Sequence, residues 1–121
     1  MTELGIFLRK ARIDLGISLR QMAAAVSISP AFLSSIETGK KDVTSDVIDS
    51  LADYMKLFGS DRTDFQVMAV RSNSELKVSL KNKTQEEVDT FALLARKISG
   101  LTEEDLGNIQ SILKKSQTME K

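Results

Sequence analysis

Apolar residues recur at every third or fourth position through the first 70 residues, which is the spacing of helices that bury one face. A glycine follows the first such segment, and a serine or threonine precedes each of the next three, so the boundaries look like helix caps. The five predicted helices cover 2–16, 18–26, 29–38, 44–59 and a short segment that begins at 61. The last one also alternates over a few residues, so a strand is the alternative there.

The third segment, SISPAFLSSIETG, has clear helix boundaries and a bare outer face. Ser29 precedes a proline at the first helical position, and Gly39 follows the last turn. The apolar stripe consists of Phe32, Leu33 and Ile36, and the small outward residues are Ala31, Ser34 and Ser35. Such a helix either packs closely against a partner or is simply solvated. Because the segment before it is a short helix and the connection is tight, the two follow a helix-turn-helix plan.

The pattern changes after residue 72. Residues 75–81 alternate strictly, with Leu76, Val78 and Leu80 on one side and polar residues on the other. A period of two is that of a half-buried strand. The sequence therefore predicts one short β-strand in this segment.

Two further helices are predicted near the end of the chain, over 85–99 and 103–115, because each follows a threonine with acidic residues in its first turn. We therefore expect a mainly α fold with two parts: a helix-turn-helix domain over 1–72 and an appendage over 73–121. The last five residues, 117–121, are expected to fray.

The composition argues against several classes of function. The chain has no cysteine and no histidine, which removes disulfides, thiolate metal sites and the commonest general base. An enzyme, a metal and a cofactor are therefore not expected. No apolar run approaches the roughly 20 residues that span a membrane, so we expect a cytoplasmic protein without a membrane partner. Since the formal net charge is zero, any hold on a polyanion must come from a local patch.

Several features of the first half occur together, in a characteristic order and spacing. They are the Leu15-Gly16 break, the helix start from Ser18 to Gln21, Ala23, Val26, the helix from Ser29 to Glu37, and Gly39-Lys40. In these features the chain, from about Leu4 to Phe58, resembles the DNA-binding domain of the lambda-type phage repressors, the Xre group of bacterial regulators. The resemblance implies a five-helix fold whose third helix enters the major groove of DNA.

The resemblance also implies which residues meet base edges. They are Ser29, Pro30, Ala31, Ser34 and Ser35. Serine hydroxyls discriminate poorly among bases, so part of the specificity is expected from Arg20, Lys41, DNA shape or half-site spacing. The alternative for the two serines in the middle of the helix is an ordinary solvated face.

Phosphate contacts and one structural pair are implied in the same way. The expected phosphate-binding residues are Ser18, Thr38, Lys40, Lys41 and Arg9, of which the lysine directly after the helix is the strongest candidate. Arg12 and Glu37 match a buried ion pair of the family, so this arginine is not counted as free to bind DNA.

Charge and the predicted strand together lead to a dimer. Residues 1–59 contain seven basic and seven acidic groups, so one subunit neutralises few DNA phosphates and should bind DNA weakly. Two linked subunits would bind more tightly. A lone strand also needs a second edge. The expected homodimer contacts are Leu76, Val78, Leu80 and Phe91. Such a dimer would bind double-stranded DNA at an inverted-repeat operator with half-sites about 34 Å apart.

The predicted function is a sequence-specific DNA-binding transcriptional regulator, a dimeric repressor of a small operon that could include its own gene. The second half resembles, more loosely, the tails of short regulators encoded beside toxins, peptidases or phage genes. The alternative is therefore an antitoxin-type adaptor that binds a toxin or another protein through its C-terminal part and regulates its own operon through its N-terminal part. The neighbouring gene would discriminate between the two.

Overall fold

The computed structural model describes residues 1–116, which form seven α-helices and one short 3-10 helix. The predicted fraying of 117–121 lies outside the described residues. The helices are α1 Glu3–Leu15, α2 Leu19–Ala25, α3 Pro30–Glu37, α4 Ser45–Tyr54, α5 Gly59–Ala69, α6 Gln85–Lys97 and α7 Glu103–Ser116, with the 3-10 helix Ile98–Gly100 between the last two. The mainly α prediction is therefore correct for the part of the chain that the structure describes.

The first compact unit, Met1–Lys77, contains α1 to α5 and a single apolar core. Helix α3 packs on α1 and α2, and α5 packs on α1 and α4. Each helix contributes the apolar residues that recur at helical spacing, so the core follows from the sequence pattern. The most completely buried large side chains are Leu8, Met22, Leu33 and Leu51.

Side-chain caps begin the first four helices. The hydroxyls of Thr2, Ser18, Ser29 and Thr44 each accept a hydrogen bond from a backbone N–H in the first turn of the helix that follows. These bonds satisfy donors that a helix cannot pair internally. The starts of α1 to α4 consequently lie where the cap residues predicted them.

The predicted end of α4 near residue 59 is wrong, because the helix ends at Tyr54. Lys56 adopts a left-handed conformation with φ of 56°, and its N–H and that of Leu57 bond back to the carbonyls of Asp53 and Ala52. This double return is a Schellman ending, which usually uses glycine. Lysine is not a typical residue at such an ending, so nothing in the sequence indicated it. The predicted helix was therefore too long. Gly59 instead opens α5.

Helix α5 resolves the alternative left open by its pattern. It is helical over its whole length and buries Phe65 and Ala69, four residues apart. The ring of Phe65 lies 5.2 Å from that of Phe7, centroid to centroid. An aromatic pair at this distance adds to the packing between α5 and α1.

The predicted strand over 75–81 is absent, since no residue in 1–116 belongs to a strand. Leu76, Val78 and Leu80 are 67%, 46% and 50% exposed. The apolar side chains of the alternating pattern therefore do not pack into a core. An extended segment becomes a strand only when a neighbouring strand pairs with its backbone, and none does so here. The division between the two compact units also falls inside this segment, between Lys77 and Val78.

The second compact unit begins at Val78 and contains α6 and α7. A capping box opens α6: Thr84 and Glu87 each accept from the other's backbone N–H. Neither helix has a buried residue. The functional division of the chain at 72/73 stays a prediction.

Helix α1 approaches the end of α3 unusually closely. The N–H and hydroxyl of Thr2 both donate to the carbonyl oxygen of Glu37, at 2.9 and 3.0 Å. A Cβ added to Gly5 would lie 2.3 Å from that same oxygen. Glycine is therefore needed at this position because the two backbones touch.

We expect Gly5→Ala to lower the free energy of unfolding by about 1–3 kcal/mol, since the new methyl group must push α1 away from α3. Thermal unfolding followed by circular dichroism measures this change. Gly107→Ala is the matched control: that glycine is also helical but has open space around its Cβ position, so its replacement should not lower stability. Equal melting midpoints for Gly5→Ala and the parent would contradict the close approach.

Candidate nucleic-acid interface

The residues predicted to read bases lie on α3 or at its start, except Arg20, which lies on α2. Ala31 and Ser34 are exposed, Pro30 and Ser35 are half-buried, and the opposite face is buried in the core. The exposed side therefore carries only small side chains. A helix with such a face lets a partner approach its backbone closely.

Ser29 caps α3, because its Oγ accepts from the N–H of Phe32 at 3.0 Å. The hydroxyl of a serine has one proton to donate in addition to its acceptor sites, so the cap leaves this donor available. Ser18 is in the same position at the start of α2, where its Oγ accepts from Gln21 N–H. The amide oxygen of Gln21 in turn accepts from the Ser18 N–H at 2.7 Å, so that backbone donor is already used.

A buried ion pair holds the far end of α3 against α1. Arg12 and Glu37 are 8% and 2% exposed, and the guanidinium meets the carboxylate through two hydrogen bonds, one of them Nη2 to Oε1 at 3.1 Å. Arg12 also contacts the sulfur of Met22 on α2 at 3.6 Å. The pair thus connects α1, α2 and α3, and Arg12 does not present its charge to the surface.

The loop after α3 places two lysines at its end. The N–H groups of Lys40 and Lys41 both donate to the carbonyl of Ser35, at 2.9 and 3.2 Å. Gly39 makes the turn possible with φ of 81°, a conformation that side chains with a Cβ rarely adopt. Thr38 donates its hydroxyl proton to the carbonyls of Ser34 and Ser35. A DNA phosphate would have to compete with these carbonyls for the same proton.

Four predicted DNA-binding cations have no acidic partner among the described residues. Arg9, Arg20, Lys40 and Lys41 are exposed, and none forms an ion pair with a residue in 1–116. In contrast, Arg62 pairs with Asp53 and Arg71 pairs with Glu3. The first four therefore retain their charge for an external anion.

A second anchor of the loop was not predicted from the sequence. Asp42 accepts hydrogen bonds from the N–H and hydroxyl of Ser74, at 3.0 and 2.8 Å, and from the N–H of Glu75. The side-chain amide of Asn73 pairs with both backbone groups of Val43, each at 2.9 Å. These contacts join residues about 30 positions apart, and no local pattern signals them. They fix the segment that follows the two lysines.

The acidity of Asp42 reflects this anchor. Hydrogen bonds from the backbone N–H and then from the hydroxyl of Ser74 hold the pKa of the Asp42 carboxyl below its ordinary value of 3.8. A lowered pKa means that the contact favours the ionised carboxylate. Its contribution to stability is present above pH 3.8 and is lost as the pH falls through the lowered value.

The residues predicted to form the dimer contacts are all on the surface, and the dimer stays a prediction. Leu76, Val78, Leu80 and Phe91 are all exposed, and Phe91 lies on α6 in the second unit. The described residues also contain no group of three or more acidic side chains placed to hold a metal ion. No helix among them is long and apolar enough to cross a membrane.

The comparison with protein families identifies the first half of the chain. The model of the helix-turn-helix domain family matches residues 3–65, which contain α1 to α4 and most of α5. The chain therefore belongs to the helix-turn-helix domain family. Such domains are typically not enzymes, and membership suggests a DNA-binding regulator. Neither the curated proteins nor the solved structures include a significant match.

Replacing Arg12 by alanine should lower the free energy of unfolding by about 3–5 kcal/mol, because it leaves the Glu37 carboxylate buried without its partner. Chemical denaturation measures this loss. Arg71→Ala is the control, since it breaks an exposed ion pair and should cost less than about 1 kcal/mol. If Arg12→Ala unfolds at the same denaturant concentration as the parent but no longer binds DNA, the arginine has a direct role instead.

Removing the Ser74 hydroxyl should raise the pKa of Asp42 toward its ordinary value. We expect an NMR titration of the Asp42 carboxyl carbon to show a midpoint below 3.8 in the parent and a higher midpoint in Ser74→Ala. Ser72→Ala is the control, because the hydrogen bonds of the Asp42 carboxylate come from Ser74 and Glu75 and not from Ser72. Identical midpoints in all three proteins would rule out the serine hydroxyl as a cause of the shift.

Proposed function

We propose that this protein is a sequence-specific DNA-binding transcriptional regulator of the lambda-type, Xre-like kind, and that it acts as a dimeric repressor of a small operon that could include its own gene. The observation that carries the proposal is the state of α3. Its inner face packs into the core and its last turn is fixed by Glu37, while its outer face carries only small side chains and two exposed lysines follow it. A helix presented in this way suits insertion into the major groove.

The side chains of this surface are suited to two kinds of DNA contact, one to phosphates and one to base edges. Lys40, Lys41 and Arg9 are exposed cations suited to phosphates, whose contacts position the protein without reading sequence. Arg20, which is exposed on α2, is suited to reading a base edge. Ser29, Ser34 and Ser35 offer hydroxyls to base edges, and Ala31 can contact a thymine methyl group. Because these side chains are short, direct readout would be modest, and DNA shape and operator spacing would add to specificity.

A homodimer follows from the limited charge of one subunit. Four exposed cations neutralise few phosphates, so a single domain should bind weakly at physiological salt. Two tethered domains on an inverted repeat would raise the affinity through effective concentration. The strand pairing expected from the sequence cannot provide this dimer, so another surface must do so.

Substitutions on α3 and on its loop should separate the two kinds of contact. We expect Lys40→Ala to weaken binding to all duplexes similarly and to reduce the salt slope by about 1 per lost phosphate contact. Ser34→Ala and Ser35→Ala should instead alter the preferred sequence, while stability changes by less than about 0.5 kcal/mol. Selection from random duplexes, followed by binding measurements across salt concentrations, tests both outcomes.

Lys56→Ala is the control for charge, since this exposed lysine lies in the α4–α5 loop and should leave the salt slope unchanged. Two results would overturn the proposal. One is that the parent protein enriches no motif. The other is that the serine variants select the parent's motif while Lys40→Ala loses affinity for only one sequence.

A further inference from the structure

The second compact unit buries none of its apolar side chains completely. Helices α6 and α7 have 13 and 14 residues and contain no buried residue, and isolated helices of this length are marginal in water. Phe91, Leu93 and Leu113 are 41%, 62% and 58% exposed. These three line a groove of about 940 Å³ in this unit. An apolar groove between two such helices needs an occupant to be stable.

The charges at the ends of the groove indicate what the occupant is. Its walls include Glu86 and Glu87 near the start of α6, and Lys97 at the end of that helix. At 1.5 Å per residue, Glu86 and Lys97 are about 16 Å apart along α6. Phe91 lies midway between them. A second α6 that runs antiparallel would bring Glu86 opposite Lys97 twice, with the two phenylalanine rings at the centre.

We infer that the groove is the homodimer interface and that its occupant is helix α6 of a second copy of this chain, packed antiparallel about a two-fold axis near Phe91. Under this rotation each acidic end meets a basic end, so the surface complements itself, as a two-fold interface requires. A parallel arrangement would place like charges together. The antiparallel arrangement also aligns the opposite ends of the two helix dipoles.

The small size of the groove favours a weak dimer. Eleven residues line it, compared with about 20–30 per side in an interface of standard size. A dimer of this extent should dissociate in the micromolar range. The α6 interface itself does not depend on DNA binding. Only its consequence, that two tethered domains bind an inverted repeat, rests on the proposed function.

Charge reversal gives the sharpest test. Glu86→Lys and Lys97→Glu each bring like charges together twice per dimer, so each variant alone should dissociate about tenfold more readily than the parent. An equimolar mixture of the two variants restores both attractive pairs and should form a heterodimer of near-parental affinity. Sedimentation equilibrium of the full-length proteins from 1 to about 200 μM measures these constants.

Truncation of the apolar centre provides a second variant. Phe91→Ala combined with Leu93→Ala should raise the dissociation constant about 100-fold, because central aromatic and aliphatic contacts dominate small interfaces. Leu80→Ala is the matched control, since Leu80 is 50% exposed but does not line the groove. It should leave the dimer unchanged.

The outcomes separate this inference from the proposed function. A monomeric parent at 200 μM, or a mixture of charge variants that does not associate better than either variant alone, overturns the α6 dimer and favours a different protein as the occupant. If that monomer still binds its selected duplex, the DNA-binding function stands. A dimer that responds as expected but binds no duplex would overturn the function and keep the interface.

Discussion

The buried carboxylate of Glu37 is the point on which the arrangement of the helix-turn-helix unit depends. Its side chain pairs with Arg12, and its backbone carbonyl accepts two hydrogen bonds from Thr2. Gly5 allows α1 to come close enough for these contacts. Because a buried charge without its partner is costly, the last turn of α3 can occupy only this position against α1. The outer face of α3 is therefore presented at a defined angle.

A rigid mounting compensates for the short side chains of that outer face. Ala31, Ser34 and Ser35 have no long polar group that could reach a base from a distance. These side chains can therefore touch a base only if the backbone of α3 lies close to the DNA. A small error in the orientation of the helix would remove the contact. The loop after α3 is held in a similar way, since Asp42 and Asn73 tie it to the end of the unit. The cations of the loop thus lie next to the helix they would support.

The two units differ in how they obtain stability. The first buries an apolar core of its own, whereas the apolar residues of α6 and α7 are half-buried or exposed. In the proposed dimer, the second copy would supply the burial that this helix pair lacks. Association and folding of the second unit would therefore be linked, which would make DNA affinity depend on protein concentration.

Local sequence determined the helices, because caps and 3.6-residue periodicity act over a few positions. Thr2, Ser18, Ser29 and Thr44 begin helices where their hydroxyls predict, and the apolar stripe of α3 enters the core. The end of α4 was missed because Lys56 takes a conformation usually left to glycine. The strand over 75–81 was wrong because alternation alone does not provide a hydrogen-bonded neighbour. Contacts between distant positions, such as Gly5 with Glu37 or Asp42 with Ser74, depend on how the helices pack, so only the tertiary structure decided them.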